Sequence, residues 1–330
     1  MKTFQRIAHT RGISLIELMI SISLGLIIIS GLTHTYLLSK TNHQLQTTLS
    51  TLHNEGHHAL TQIIHDIQNA GYLAHTRNSA SIKGTSPPIL PNSLCKKDNQ
   101  WARMLAQPVF GINDAIKTHH TIDYRECINN SYYLRGDILA LRFASQHTVP
   151  TSETTLEENR HRLYLASIPR KSLLFQGQEQ HKNKFLSQTS SLHSIQGRLY
   201  YIGEAINDTR VNCPTDNDKT YPALFRMTLN KKSVLQRQEL SQGIENMQIQ
   251  YGIDHDNNQS SDFYTNASSN TPWEKVSSIR VWLLIRAECP EAGFTNRQTY
   301  FIGDQKYKPE DHYRRLLLTS TVAINHHGID

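Results

Sequence analysis

The pattern of apolar positions divides the chain into a helical N-terminal part and a strand-rich remainder. Between Gly12 and Leu32 nearly every residue is apolar or small, and Glu17 is the only charged one. About twenty helical residues span roughly 30 Å, which is the thickness of the hydrocarbon core of a bilayer. The pattern therefore predicts a transmembrane helix at 13–32 with a carboxylate near its start.

A second apolar pattern follows, with the three- and four-residue spacing of an amphipathic helix. The stripe consists of Leu38, Leu45, Leu49, Leu52, Leu60, Ile63 and Ile67, with polar residues between them. Gly71 is a suitable helix end. We therefore predict one continuous helix whose amphipathic half, residues 33–71, packs on a globular head.

The remainder, residues 72–330, has the pattern of a β-rich head. Short runs rich in β-branched and aromatic residues lie at 138–143, 162–166, 198–202, 223–229, 247–251, 279–286 and 316–324. Such runs predict strands, and the lack of a strand–helix rhythm favours an antiparallel sheet. We expect loops at 151–160 and 176–194, and a short helix at 271–274 with Thr271 as its N-cap. The predicted fold class is α+β, a long N-terminal helix packed on an antiparallel sheet.

The charges before the apolar segment indicate its orientation. Lys2, Arg6 and Arg11 precede the segment, so the positive-inside rule puts the N-terminus in the cytoplasm and the head outside the membrane. These three cations account for half of the formal net charge of +6. The rest of the chain is therefore too weakly basic to indicate nucleic-acid binding by its charge.

The cysteines fit an oxidising compartment. The chain has four of them, widely spaced and without a CxxC pair, which favours disulfides over a metal or redox site. Of the three connectivities we favour Cys95–Cys127 together with Cys213–Cys289. The alternative is that some of the thiols stay free and buried.

The residues around Glu17 carry a specific resemblance. The segment Gly12-Ile13-Ser14-Leu15-Ile16-Glu17-Leu18-Met19 resembles the cleavage and methylation signal of type IV prepilins, although that family usually has Phe at the position of Ile13. The resemblance implies that a prepilin peptidase cleaves between Gly12 and Ile13, which makes 1–12 a leader peptide, and then N-methylates Ile13. A secretory signal peptide is the alternative, but no small-x-small cleavage site follows the apolar run.

The same resemblance implies a role for Glu17 in assembly. A charge inside a bilayer costs about 2.5 to 3.5 kcal/mol on insertion scales. In the family this carboxylate is thought to neutralise the N-terminal amine of a neighbouring subunit, which removes the penalty for both charges and fixes the register of assembly. The implied partners are the peptidase, other minor and major pilins and the inner membrane. The implied location is a single-pass inner-membrane protein with a periplasmic head, and later the pilus.

A narrower resemblance lies in the C-terminal half. Residues 238–254, with the core Gly243-Ile244-Glu245-Asn246-Met247, resemble a run of PilW-type minor pilins, and 276–285 and 314–325 resemble that family's closing strands. This likeness implies a non-catalytic subunit that helps to initiate pilus assembly, sits at or near the filament tip and supports twitching motility and adhesion. The alternatives are a minor pseudopilin of a type II secretion system, which shares the N-terminal signal, and a DNA-uptake or adhesin tip subunit.

One loop of the head has the spacing of a calcium site. Four side chains occupy positions one, three, five and nine of a calcium loop: Asp254, Asp256, Asn258 and Asp262. Gln259 and Thr265 stand where an EF-type loop needs a glycine and a bidentate acid. A polar hairpin loop is therefore the favoured interpretation, with calcium binding as the alternative, and we expect no other cofactor.

Enzyme and DNA-binding functions find little support. The chain contains no HExxH, GxSxG, P-loop or GxGxxG motif, so we expect no catalytic activity. Arg314-Arg315 and Lys231-Lys232 are candidate phosphate contacts, but each is only a pair, and we do not expect DNA as a partner.

Overall fold

A computed structural model describes residues 12, 14–74, 76, 79–86, 100–114, 128, 132–150, 156, 158–168, 171–182, 191–206, 213 and 220–324. Among these residues are two α-helices, α1 (Leu15–Asn69) and α2 (Gln100–Arg103), and fourteen strands. The strands are β1 (Ile82–Lys83), β2 (Val109–Ile112), β3 (Tyr133–Thr148), β4 (Leu163–Ile168), β5 (Lys171–Gln176), β6 (Ser191–Glu204), β7 (Pro222–Leu229), β8 (Leu235–Gln242), β9 (Ile244–Ile253), β10 (Phe263–Thr265), β11 (Val276–Arg286), β12 (Tyr300–Ile302), β13 (Gln305–Tyr307) and β14 (Arg315–Ala323).

Helix α1 covers residues 15–69 of the predicted helix at 13–71, and only its last part is buried. The chain divides after Thr51 into two compact units. Leu38 and Leu49 of the predicted stripe are exposed. The stripe is buried from Leu52 onward, where Leu60, Ile63 and Ile67 follow at helical spacing.

The head contains two main sheets. The larger has eight strands in the order β1-β5-β4-β6-β3-β2, with β7 on β6 and β8 on β7. Strand β6 has fourteen residues, and its first residues pair with β4 while its last residues pair with β7. The smaller sheet has the order β10-β9-β11-β14, and β12 pairs with β13 as a separate hairpin. Every described pair is antiparallel except β1 with β5.

The end of helix α1 packs between the two sheets. Ile63 and Ile67 of the helix belong to one apolar core that contains inward residues of both sheets. These include Leu139, Tyr200 and Leu224 from the larger sheet, and Met247, Ile249, Val281, Leu283 and Ile285 from the smaller one. A second core covers the other face of the larger sheet, and its aromatic members include Trp101, Phe110, Tyr201 and Phe225. The α+β fold class is thus confirmed, with the head built around the C-terminal end of one long helix.

Two local predictions were wrong. The segment expected to be a loop at 176–194 contains a 3-10 turn, Gly177–Lys182, and the first residues of β6. The strand was hidden because its first residues are polar, and the hydroxyls of Ser167 and Ser191 bond each other at 2.8 Å across the pair. The short helix near Thr271 is a 3-10 turn over Trp273–Lys275 without a side-chain cap, because the Thr271 hydroxyl instead bonds within its own loop, accepting from the Ser268 N–H.

Candidate assembly signal and the chemistry of the head

The first turn of α1 explains how Glu17 is held. The helix begins at Leu15, so Ser14 occupies the cap position and Glu17 the third helical position. The Ser14 N–H donates to Oε2 of Glu17 over 3.4 Å, and the Leu18 N–H donates to the Ser14 carbonyl over 3.1 Å. This is one half of a capping box, and the acid also lies at the positive end of the helix dipole. Glu17 therefore stabilises the helix start, whatever else it contacts.

The apolar side chains that follow Glu17 are exposed. Ile27, for example, exposes 69% of its surface. The most apolar window of the helix has a mean hydropathy of 2.3, and no part of it is buried in the structure. Within the described residues this is the one helix whose length and composition would let it cross a membrane. Such a surface needs an apolar environment that the chain does not itself provide.

Hydroxyl groups along this segment are satisfied by the helix itself. Ser21, Ser23, Thr33 and Thr35 each donate to the carbonyl four residues earlier, at 2.7 to 2.9 Å. Polar groups in a bilayer must find their partners inside the protein, and this arrangement provides them. The exposed helix surface is therefore compatible with a lipid environment in its polar atoms as well as its apolar ones.

The predicted processing site is described only in part. Gly12 is exposed, while Ile13 lies outside the described residues. Cleavage between Gly12 and Ile13, methylation of Ile13 and the intersubunit role of Glu17 therefore stay predictions.

A disulfide joins Cys213 to Cys289, with Cα atoms 5.2 Å apart. This is one of the two pairings favoured from the sequence. Cys95 and Cys127 lie outside the described residues. The described disulfide ties the segment after β6 to the residues after β11, and so connects the two sheets covalently.

The structure brings together the acidic side chains of the predicted calcium loop. Asp254, Asp256 and Asp262 each place one carboxylate oxygen within 4.8 Å of the others. Asn258 stays near them, because its side-chain amide donates to Asp256 over 3.0 Å. However, Asp254 already accepts the N–H groups of Asn258 and Gln259, at 3.1 and 2.8 Å. These bonds are those of a self-supported hairpin loop, and calcium binding stays a prediction.

The charged residue of the C-terminal motif has a structural role. Glu245 is buried, and its carboxylate accepts two bonds from the Arg315 guanidinium, at 2.5 and 3.1 Å. Asp311 pairs with the other side of the same guanidinium, with two bonds of 2.6 Å. Although burial disfavours the charge, the hydrogen bonds of Asp311 and Glu245 raise the pKa of Arg315 above its ordinary value. A bidentate buried pair of this kind fixes β9 against β14.

Arg314 and Arg315, the candidate phosphate contacts of one pair, each have acidic partners in the head. Arg315 is buried between two carboxylates, and Arg314 pairs with Glu291 and lies over the Phe294 ring at 4.2 Å. Because all of these cations have acidic partners, they are poorly placed to bind phosphate.

Another buried charge cluster was missed by sequence reasoning. Asp66 of α1 is buried and accepts a 2.5 Å bond from the Tyr200 hydroxyl. Its carboxylate also lies 3.2 Å from Arg198 Nε and 3.6 Å from Arg226. The cluster anchors the end of the helix to β6 and β7. The sequence held one signal for this cluster. The acidic residue Asp66 lies beside Ile63 and Ile67, which predict the buried face of the helix.

The structure thus combines a long helix, whose apolar first half is exposed, with an antiparallel head that packs on the end of the helix. The sequence profile of the family described as type IV pilus-assembly protein W, PilW, matches residues 200–326. This match confirms the resemblance to PilW-type pilins in the C-terminal part of the chain. It covers β7 to β14 and includes the Glu245–Arg315 pair.

Two further comparisons add little. A type IV-like pilin from Thermus thermophilus is similar in structure, with a TM-score of 0.36 and 10% identity over 84% of this chain and 98% of that one. A TM-score this low does not define a shared fold. A search of curated protein sequences finds no match to the chain.

Proposed function

We propose that this protein is a minor type IV pilin that helps to initiate pilus assembly and sits at or near the filament tip. The observation that carries the proposal is the first half of α1. Its apolar side chains are exposed, and Glu17 is the one acid in its first turn. Such a surface can be covered by lipid before assembly and by the helices of other pilins afterwards. The family match at residues 200–326 supports the pilus system over type II secretion.

The proposed role of the head depends on its position in the filament and involves no chemical reaction. The head supplies a large polar surface on the outside of a filament, and each additional copy would have to pack around the shaft. This favours a tip or near-tip position, from which the subunit would support twitching motility and adhesion. Immunogold labelling confined to pilus ends is the expected result, and labelling along the whole shaft would count against a tip position.

Processing is tested by mass spectrometry of the N-terminus. Protein isolated from cells with prepilin peptidase should begin at N-methylated Ile13, and protein from cells without it should keep residues 1–12. A mature protein that begins at Met1 in both strains, or at a residue beyond Leu32, would remove the basis of the proposal.

Two substitutions at Glu17 separate its two roles. Glu17→Gln keeps an oxygen that can accept the Ser14 N–H, but it removes the charge. Glu17→Val removes both. If the charge pairs with the terminal amine of a neighbouring subunit, both variants should be processed normally and both should be depleted from sheared pili by about tenfold or more, since a buried amine left without its carboxylate costs about 3–5 kcal/mol.

Two other results would contradict the proposal. If Glu17→Gln assembles as well as the unchanged protein and only Glu17→Val fails, the carboxylate acts through the helix cap alone. Loss of protein secretion with intact pili in a deletion strain would instead indicate the pseudopilin function.

A further inference from the structure

A group of acidic side chains lies where the two sheets meet, and it differs from the other charged clusters of the head. Strand β3 bends at Gly136, whose φ is +82°. A Cβ atom there would lie 2.7 Å from the Met247 carbonyl oxygen and from Oδ1 of Asn246, so β3 approaches β9 more closely than another residue would permit. The next residue, Asp137, is thereby placed between the sheets and is only 2% exposed.

The Asp137 carboxylate is held by main-chain donors. Its Oδ1 accepts the Asp114 N–H over 2.9 Å, and its Oδ2 accepts the Ile249 N–H over 2.7 Å. Those bonds fix the carboxylate toward the residues that follow β2 and toward β9. The position is therefore defined by the fold and not by a flexible side chain.

Two more carboxylates share these surroundings. Gln248 is 1% exposed. In the amide orientation that suits its neighbours, the side-chain NH2 group of Gln248 donates to Asp137 Oδ1 and to Asp304 Oδ1, each over 3.2 Å. Asp304 belongs to the turn of the β12–β13 hairpin, and its other oxygen accepts the amides of Asn113 and Asn266, at 3.0 and 2.7 Å. Asp114 accepts the Gln305 amide from the same hairpin.

These carboxylates have amide partners, whereas the buried Asp66 and Glu245 have arginines. Among the described residues, no Lys, Arg or His forms an ion pair with Asp114, Asp137 or Asp304. The remaining titratable group that acts on Asp137 is the buried hydroxyl of Tyr251 on β9. Negative charges on the exposed Asp304 and the partly buried Asp114 disfavour a further charge on the buried Asp137.

A proton on Asp137 relieves this repulsion. Burial is the main cause that raises the pKa of Asp137 to about 8, and repulsion by Asp114 and Asp304 adds to it, while the two main-chain hydrogen bonds oppose the shift. The uncharged acid can keep both main-chain bonds and donate its proton to a neighbouring oxygen.

We propose that Asp137 is a proton switch, which keeps the β12–β13 hairpin docked on the head when protonated and loosens it when ionised. Of the three acids, Asp304 is the least anchored, because its hairpin consists of two three-residue strands that pair only with each other. Tyr300 and Ile302 hold the hairpin on Leu284 through apolar contact. Repulsion at the turn would act against that contact and change how Phe301, which is 67% exposed, is presented to a partner.

The sign of the pH dependence follows from linkage. In the unfolded chain Asp137 has its ordinary pKa of 3.8, whereas folding raises the pKa to about 8. Between these values the folded protein holds a proton that unfolding releases, so stability should fall as pH rises from about 4 to about 8. The unfolding equilibrium constant should rise by up to about tenfold per pH unit through this one group.

The experiment compares the full-length protein in detergent micelles with three variants. Denaturant unfolding is measured from pH 5 to pH 9 for the unchanged protein, Asp137→Asn, Asp304→Asn and Glu274→Gln. Glu274 is an exposed carboxylate of the 3-10 turn Trp273–Lys275 and serves as the control. Histidines contribute equally to all four proteins, so the differences between the curves isolate the acidic group.

We expect Asp137→Asn to lose part of the decline in stability and Glu274→Gln to keep all of it. Asp304→Asn retains an oxygen for its amide donors, so it should fold normally and move the end of the decline to lower pH. Hydrogen exchange, corrected for the intrinsic rate, should show that amides of residues 300–307 lose protection as pH rises in the unchanged protein but not in Asp137→Asn.

Two outcomes would overturn the proposal. One is a pH dependence that is the same in the unchanged protein, Asp137→Asn and Asp304→Asn. The other is stabilisation by millimolar calcium at pH 9 that disappears in Asp137→Asn, because the site would then hold a cation in place of a proton.

Discussion

The two halves of helix α1 use apolar residues in different ways. Before Thr51 the large apolar side chains are exposed all round the helix, and Glu17 is the acid of the first turn. From Leu52 onward only one face is apolar, and it is buried in the core of the head. An apolar surface all round a helix has to be covered by something outside the chain. A one-sided apolar stripe is covered by the rest of the same fold.

Acids in the two regions also differ in their partners. Asp66 and Glu245 in the head are buried, and each is met by arginines of the same chain. Glu17, in contrast, is exposed, and among the described contacts it is met only by the main-chain N–H of Ser14. The arginines therefore stabilise the folded head, whereas the contact of Glu17 stabilises only the start of its own helix. Substitutions that remove partners inside the head should therefore unfold it, while those in the first half should not.

The largest effect is expected at the Glu245–Arg315 pair. Arg315→Met leaves the buried Glu245 carboxylate with only the half-exposed Arg135, at 3.9 Å, which should lower the free energy of unfolding by about 3–5 kcal/mol. Arg314→Met is the matched control, because Arg314 pairs with the half-exposed Glu291 and should cost less than about 1 kcal/mol. Denaturant unfolding of the full-length protein in detergent measures both.

A double variant sharpens this prediction. Glu245→Gln combined with Arg315→Met removes both charges, so it should be more stable than the sum of the two single changes indicates. Equal losses for Arg314→Met and Arg315→Met would show that burial of the pair has no special effect.

A large effect is also expected from trimming the buried stripe. Ile63 is fully buried in the main core, so Ile63→Ala should cost about 2–5 kcal/mol through lost burial and a cavity. Ile28 carries the same side chain on the same helix but exposes 62% of it. Ile28→Ala should leave unfolding of the head unchanged, as followed by the near-ultraviolet circular dichroism of its aromatic residues. A similar loss in both variants would contradict the separation of the two halves.

The apolar pattern was sufficient to predict the helix and the central strands. The runs at 198–202, 247–251 and 279–286 each lie inside a strand of the structure, because buried strands need consecutive or alternating apolar residues. Strand β8 was not predicted, since its sequence LQRQELSQ is mostly polar and it lies at a sheet edge, where it pairs only with β7.

The charge clusters could not be predicted from the sequence in the same way. Asp66 meets Arg198, and Glu245 meets Arg315, but neither pair is close along the chain. The pairing of strands brings them together, and that pairing depends on tertiary contacts that local patterns do not contain. The predicted assembly signal is the opposite case: Gly12, Ile13 and Glu17 are consecutive or nearly so, and the signal could be predicted without any knowledge of the fold.

The smallest effect is expected from a glycine-to-alanine substitution, made once in the head and once in the first half of α1. Gly243 has a φ of +77°, and a Cβ atom there would lie 2.8 Å from the Arg286 carbonyl oxygen. Gly243→Ala should therefore destabilise the head by about 1–2 kcal/mol. Gly25 lies inside the helix with no atom within 4 Å of its Cβ position, and Gly25→Ala should leave unfolding of the head unchanged or add helix stability of up to about 1 kcal/mol. Thermal unfolding in detergent would show whether each variant is less or more stable than the unchanged protein. If Gly25→Ala instead lowered the stability of the head, the first half of the helix would contribute to the folding of the second, and the two halves could no longer be treated as separate.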